Sequence, residues 1–280
     1  MAAACHNMRT AGPAFKFLLP RLWEWLQGRR RGALQELKVL RHVSDAGGAI
    51  VQCGYALLPP ADMQAQLGLQ LDQLDGLRAS WSRLPQDTYL RDGGNYRHRR
   101  HGCFTYETAA AAVTLAPHRA HWQPTQYNAL HGGMERWFEP IEPAVTAAPI
   151  WNRLLQTLGG LLAAVRPVQR WYIEAHQFRI DTAAGIGRPT PEGAHRDGVD
   201  YVEVILVDRR EVRGGETRVF EAQGTAGVRF TMTESWTMLL LDDARVIHET
   251  TPIQPEGEGL GGVRDTLVLT YREHGFQSPL

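Results

Sequence analysis

After Pro167 the hydrophobic period of the sequence changes, and this change constrains the fold more than any other feature. Trp171–Ile180, Tyr201–Val207, Thr217–Phe220, Ser235–Leu241 and Thr266–Tyr271 are short runs rich in Val, Ile, Leu and aromatic residues. Gly, Pro or Asp separates them, with no helical repeat between. Such side chains suit a pleated, half-buried surface, so the runs predict antiparallel sheet. Ahead of Pro167 the period is helical. Met63, Leu67, Leu69, Leu71, Leu74 and Leu77 recur across 60–83, and Trp151, Leu154, Leu155, Leu158, Leu161 and Leu162 across 143–165. Gly159 and Gly160 weaken the middle of the second stretch, and Pro167 stops it. Helices that precede strands, instead of alternating with them, give an α+β fold. Residues 182–193 and 252–262 read as loops.

Composition narrows what such a chain can do. With 280 residues, 43% of them hydrophobic, it can bury a sizeable core, which excludes wholesale disorder. Its 30 Lys and Arg balance 30 Asp and Glu, so a general nucleic-acid binder, which needs a basic excess, is not expected. Cys5, Cys53 and Cys103 are odd in number and lack a CxxC step. Neither a disulfide framework nor structural zinc is expected, and a reducing cytoplasm fits. No apolar run reaches the ~18 residues of a membrane span. Residues 1–42 stand apart, with eight Lys or Arg against two Glu, and Phe15, Leu18, Leu19, Leu22 and Leu26 at helical spacing around Pro20. We read them as a basic helical extension rather than a targeting segment, since no signal-peptide core or cleavage pattern is present. Residues 43–280 are expected to form a single domain.

The chemistry concentrates in Ala194-His195-Arg196-Asp197-Gly198. On extended backbone His195 and Asp197 point to one face, offering an imidazole nitrogen and a carboxylate oxygen side by side. An HxD step alone is common. His248 follows the run Ser235–Leu241 and can complete the set, since the intervening residues suffice for several antiparallel strands to return the chain. Two histidines and a carboxylate on one face suit non-haem Fe(II) and leave the opposite face open. Arg264-Asp265-Thr266 leads into the last run and places a guanidinium and a hydroxyl two residues apart. Such a fork, if buried, matches a carboxylate; the alternative is a solvated arginine.

His195-Arg196-Asp197, His248 and Arg264-Asp265-Thr266 together resemble the HxD…H…R-x-[S/T] pattern of Fe(II)/2-oxoglutarate-dependent dioxygenases. Gly214-Gly215-Glu216-Thr217 resembles the turn that often precedes a strand in these enzymes. Asp92-Gly93-Gly94-Asn95-Tyr96-Arg97-His98-Arg99-Arg100 and His176-Gln177-Phe178-Arg179 look like blocks of a bacterial branch that includes the L-isoleucine dioxygenases, hydroxylases of free amino acids. The resemblance covers roughly residues 88–273. It implies a double-stranded β-helix, a jelly-roll and cupin relative, buttressed by helices from the N-terminal half. It implies His195, Asp197 and His248 as iron ligands, and Arg264, assisted by Thr266, as partner of the distal carboxylate of 2-oxoglutarate. The implied reaction consumes 2-oxoglutarate and dioxygen, releases succinate and CO2, and hydroxylates a small molecule, a free amino acid in the branch. Related halogenases lack the carboxylate ligand, so Asp197 implies hydroxylation. Two other readings stay open: a cupin-like metal enzyme without 2-oxoglutarate, and a non-catalytic metal-binding sensor of the same fold.

For the substrate, Tyr96 and Arg97 sit in a cationic, aromatic cluster with Arg99 and Arg100 that is either a carboxylate site or a solvated basic loop. Strand alternation puts Gln177 and Arg179 on one face and His176 and Phe178 on the other. We expect Gln177 and Arg179 to line the pocket, the alternative being hydrogen bonding across strands. Trp236 is either a pocket wall or a core residue.

Overall fold

The computed structural model describes residues 38–39, 45–257, 259 and 261–279. The extension expected over residues 1–42 lies outside them, apart from Lys38–Val39 (β1), which is a short strand and not helix. The chain divides into two units, residues 1–37 and 38–280, and every described residue belongs to the second.

Asp45 starts the first helix, Ala46–Cys53 (α1), by accepting the Gly48 N–H at 2.9 Å, and Gly54, left-handed at φ 81°, ends it. The helical stretch expected across 60–83 forms in three pieces: Pro60–Leu67 (α2), Leu71–Asp75 (α3) and a 3-10 helix, Arg78–Arg83. Gly68 adopts the left-handed conformation that closes α2, which divides the run. After Pro143–Thr146 (α4) comes Pro149–Val165 (α5), which carries Pro in its first turn and buries Trp151, Leu154, Leu155, Leu158 and Leu162 on one face. Gly159 does not break it. A Cβ at that position would lie 2.8 Å from the Tyr106 ring, so glycine is what lets α5 press onto the strand beneath. No described helix is long and apolar enough to cross a membrane.

Among the described residues the remaining strands are Tyr55–Leu58 (β2), Arg97–Glu107 (β3), Ala112–Leu115 (β4), Arg170–Asp181 (β5), Tyr201–Arg210 (β6), Val212–Gly214 (β7), Thr217–Glu221 (β8), Gly227–Phe230 (β9), Met238–Asp242 (β10), Val246–Thr250 (β11), Ile253–Pro255 (β12) and Val263–Arg272 (β13). The larger sheet runs β2-β10-β6-β13-β5-β3-β4 with every pair antiparallel. The smaller runs β1-β9-β8-β11, and β12 pairs with β7. All five expected runs lie in or overlap strands. The longest unexpected strand is β3, whose Arg97–His101 segment carries cations where a strand pattern calls for apolar residues.

Two apolar layers hold the assembly together. One lies between the helices and the outer face of the larger sheet, where Trp171, Ile173 and Ala175 of β5 meet Leu267, Leu269 and Tyr271 of β13 under Trp151, Leu155 and Leu158 of α5. The other lies between the sheets and joins Val202 and Leu206 of β6 to Val219 of β8, Val228 of β9 and Val246 of β11. This sandwich, with the described helices packed on the larger sheet, is the expected α+β double-stranded β-helix. It also assigns the strand faces. Odd residues of β5 and β13 go to the helices, so even ones face the other sheet and the cavity between them.

Candidate active site

His195 and His248 meet across the cavity mouth through a pair of antiparallel backbone hydrogen bonds, each 3.0 Å, that continue the smaller sheet past β11. Asp197 is drawn in behind them. The carboxylate of Asp243, itself buried, accepts the N–H groups of Asp197, Gly198 and Val199 at 2.9, 2.8 and 3.1 Å and so fixes the loop that carries the ligand-type carboxylate. Asp243 thus acts on Asp197 and not on the ring of His248. The side chains converge: His195 Nε2 lies 3.8 Å from Asp197 Oδ1, and His248 Nε2 lies 3.9 Å from Asp197 Oδ2. Gln123 Nε2 donates to Asp197 Oδ1 at 3.0 Å.

Proton placement suits a metal ion. His195 donates from Nδ1 to the Gly193 carbonyl at 2.9 Å, which turns the Nε2 lone pair toward the centre. Burial and the charge of His195 push the His248 imidazole down to about 3, so it is neutral at physiological pH. For His195 burial pulls the other way, but the carboxylates of Glu192, 3.6 Å away, and Asp197 outweigh it and raise its pKa. The carboxylates beside His195 favour positive charge at this centre, and this donor set could hold a cation.

In the same cavity β13 presents Arg264 and Thr266 from its inward face. Arg264 is only 3% exposed, yet no carboxylate lies within ion-pairing distance among the described residues and its Nη2 has no hydrogen-bond partner. Burial and the charge of Arg209 bring it down to about 10, so it remains a cation at neutral pH. A buried guanidinium without a counter-ion awaits an anion.

Comparison with known proteins agrees with this geometry. The family model described as 2OG-Fe dioxygenase matches residues 78–270. The crystal structure of a bsmA homologue from Methylobium petroleophilum is 51% identical, with a TM-score of 0.82 over 87% of this chain and 99% of that one. The chain belongs to the 2OG-Fe dioxygenase family. Two more distant structures show the fold: IDO from Bacillus thuringiensis (16% identity, TM-score 0.67, 85% of this chain and 99% of that one) and the Fe(II)/α-ketoglutarate-dependent dioxygenase TqaL (19%, 0.62, 81% and 85%). Among curated proteins no relative matches. As a 2OG-Fe dioxygenase the protein is an enzyme that uses Fe(II), 2-oxoglutarate and dioxygen, which removes the readings as a cupin-like enzyme without 2-oxoglutarate and as a non-catalytic sensor.

Several residues expected in the substrate pocket of this 2OG-Fe dioxygenase lie elsewhere. Gln177 and Arg179 are on the outer face of β5: Gln177 donates to Ser80 Oγ at 2.8 Å, and Arg179 forms a two-pronged pair with Asp265 at 2.8 and 2.7 Å. The opposite parity, Glu174, His176 and Phe178, lines the cavity. Trp236 is a core residue at φ 69° whose indole donates to Asp75 at 2.7 Å. Tyr96 packs against Ile180 and Ile253 and donates to Asp92 at 2.6 Å. Arg97 does reach the cavity, paired at 2.8 Å with the buried Asp87.

Sequence reasoning missed Gln123, His121 and Arg136, which come from the long segment between β4 and α4, and Glu174, which sits within an apolar strand pattern. Their signal was faint: a cluster of His, Gln and Asn in a loop, and one acid in β5.

Proposed function

We propose that His195, Asp197 and His248 hold the iron, that Arg264 with Thr266 takes the distal carboxylate of 2-oxoglutarate, and that the enzyme hydroxylates a free amino acid. One observation carries the first two assignments: a buried, unpaired guanidinium shares a cavity with two histidines and a carboxylate. When bound, the iron with 2-oxoglutarate and dioxygen supplies oxidative decarboxylation to succinate and CO2 and insertion of one oxygen atom into a C–H bond. The chain's own groups bind and orient. Gly193 sets the tautomer of His195, Asp243 and Gln123 set the position and rotamer of Asp197, and Arg264 fixes the cosubstrate end-on. Asp197 supports hydroxylation rather than halogenation, which needs that coordination place for halide.

The amino-acid reading rests on the Asp92–Arg100 and His176–Arg179 blocks, which resemble those of the L-isoleucine dioxygenases, and on unmatched donors and acceptors of both charge types in the cavity. Arg99 Nε, Arg136 Nε and Glu192 Oε2 all lack hydrogen-bond partners, as the groups facing a zwitterion would. A reducing cytoplasm is the compartment that suits three cysteines, odd in number and without a CxxC step.

The test is succinate release from 2-oxoglutarate by purified protein with ferrous iron, ascorbate and a panel of free amino acids, with mass spectrometry for a product heavier by one oxygen atom. Arg264→Ala is expected to raise the 2-oxoglutarate requirement steeply. Full substrate-dependent turnover by His195→Ala would overturn the ligand assignment.

A further inference from the structure

A second convergence of histidines and carboxylate borders the cavity: His121, and Glu174 and His176 from β5, line it, and His101 from β3 lies buried behind them. Its hydrogen bonds argue against a metal ion. A carboxylate only accepts and a guanidinium only donates, so the protons can be located. Glu174 Oε2 receives His101 Nε2 at 2.9 Å and His121 Nδ1 at 2.7 Å, and Arg99 donates to His176 Nδ1 at 2.7 Å. The neutral rings therefore aim protons, not lone pairs, at Glu174. Three guanidinium groups surround the cluster, a poor setting for a divalent cation.

Those guanidinium groups are the informative part. Arg97 is ion-paired with Asp87, to which its Nε donates at 2.8 Å. Arg99 is 3% exposed, sandwiched between Phe138 at 3.8 Å and Phe178 at 4.4 Å, and its nearest carboxylate is Asp87 at 3.9 Å. Arg136 is 2% exposed and has no carboxylate within ion-pairing distance among the described residues; it donates only to Gln123 Oε1 at 2.9 Å. The Nε–H of each has no acceptor. The Nε–H groups of Arg99 and Arg136 are therefore buried donors left unmatched, which an anion entering the cavity would satisfy. Gln123 then bridges Arg136 to Asp197, so an anion here lies one amide side chain from the ligand set.

We propose that Arg99 and Arg136 form a seat for the substrate's carboxylate, with Arg99 held in place by its bond to His176 at 2.7 Å and by Asp87. The inference rests on the amino-acid reading above and sharpens it: the enzyme selects by carboxylate, and esters or amides of its substrate are excluded. The aromatic faces of Phe138 and Phe178 keep the Arg99 guanidinium from following solvent, so the seat is rigid before substrate arrives.

Butanoate and butanamide serve as probes, because they differ by one charge at nearly equal shape. Ligand-observed NMR on the Zn-loaded protein with 2-oxoglutarate present is expected to show butanoate binding at least tenfold tighter than butanamide. In Arg136→Met that preference is expected to vanish, while the dissociation constant for 2-oxoglutarate changes less than twofold. Equal binding of the two probes by the unmodified protein would overturn the seat, and this comparison needs no variant to fold. Loss of 2-oxoglutarate binding in a folded Arg136→Met protein would also overturn it, by assigning the seat to the cosubstrate. Succinate release tests the reaction separately, so the seat and the activity can fail independently.

Discussion

Two clusters of histidine and carboxylate line one cavity, and they are built for opposite purposes. The side chains of His195 and His248 stand 3.8 and 3.9 Å from the Asp197 carboxylate, too far to hydrogen-bond to it, and the Nδ1–H of His195 is spent on a backbone carbonyl. Around Glu174 the groups have closed up to 2.7–2.9 Å, with the protons of His101 and His121 directed inward. The first set has lone pairs to offer a cation, whereas the second has already satisfied its charge. Both clusters combine histidines with a carboxylate; what differs is where the ring protons point, from His195 to a backbone carbonyl and from His101 and His121 to Glu174.

The largest expected effect would break this contrast outright. His195→Ala or Asp197→Ala should lose iron by more than the ~10–100-fold that accompanies loss of a group behind a ligand, and succinate release should fall with it. Glu174→Gln should retain one iron per chain in metal analysis; a drop from two to one would show that both clusters hold metal. Next comes stability. Glu174→Ala leaves the buried ring N–H groups of His101 and His121 without an acceptor and should cost ~3–5 kcal/mol in urea unfolding; an unchanged midpoint would deny Glu174 its structural role.

A third buried carboxyl sharpens the comparison. Burial alone would raise the pKa of Glu174, but His121 and His101 outweigh it and hold it below the ordinary carboxyl value. Glu203 receives only the Tyr271 hydroxyl, at 3.2 Å, and burial drives it up to about 8. In the unfolded chain Glu203 ionises near its ordinary value, while in the fold it keeps its proton until about 8. Its contribution to stability is therefore full at acid pH and is lost as pH rises through that window. Glu203→Gln should flatten the decline between pH 5 and 8 and gain ~2–3 kcal/mol at pH 8, read from thermal or urea melts across pH. The smallest effect is expected at Gln123→Ala, which frees one oxygen of Asp197: iron affinity in a chelator competition should weaken ~10-fold with little change in melting temperature.

How legible the molecule was depended on whether a signal was local. The runs after Pro167 and the HxD…H…R pattern are local in residue type and spacing, and the triad and Arg264 do converge in the cavity. Strand β3 was hidden because Arg97, Arg99 and His101 read as a polar loop until Asp87, from the segment before the strand, and Glu174, distant in sequence, supply carboxylate partners. Trp236 looked equally able to wall a pocket or fill a core, and the Asp75 acceptor that decides it comes from α3, far away in the chain. The 60–83 helical run overlooked how readily Gly68 turns left-handed.

The sequence by itself determined the α+β order of elements, the chemistry available to the cavity and the pairing of residues by parity: Gln177 with Arg179, His176 with Phe178. Which parity faces inward was settled only when α5 and its leucines covered the odd face of the larger sheet, leaving the even one to the cavity. Alternation is a property of one strand's backbone and follows from the residues themselves. Sidedness is a property of the surface packed against that strand, and no stretch of chain carries it alone.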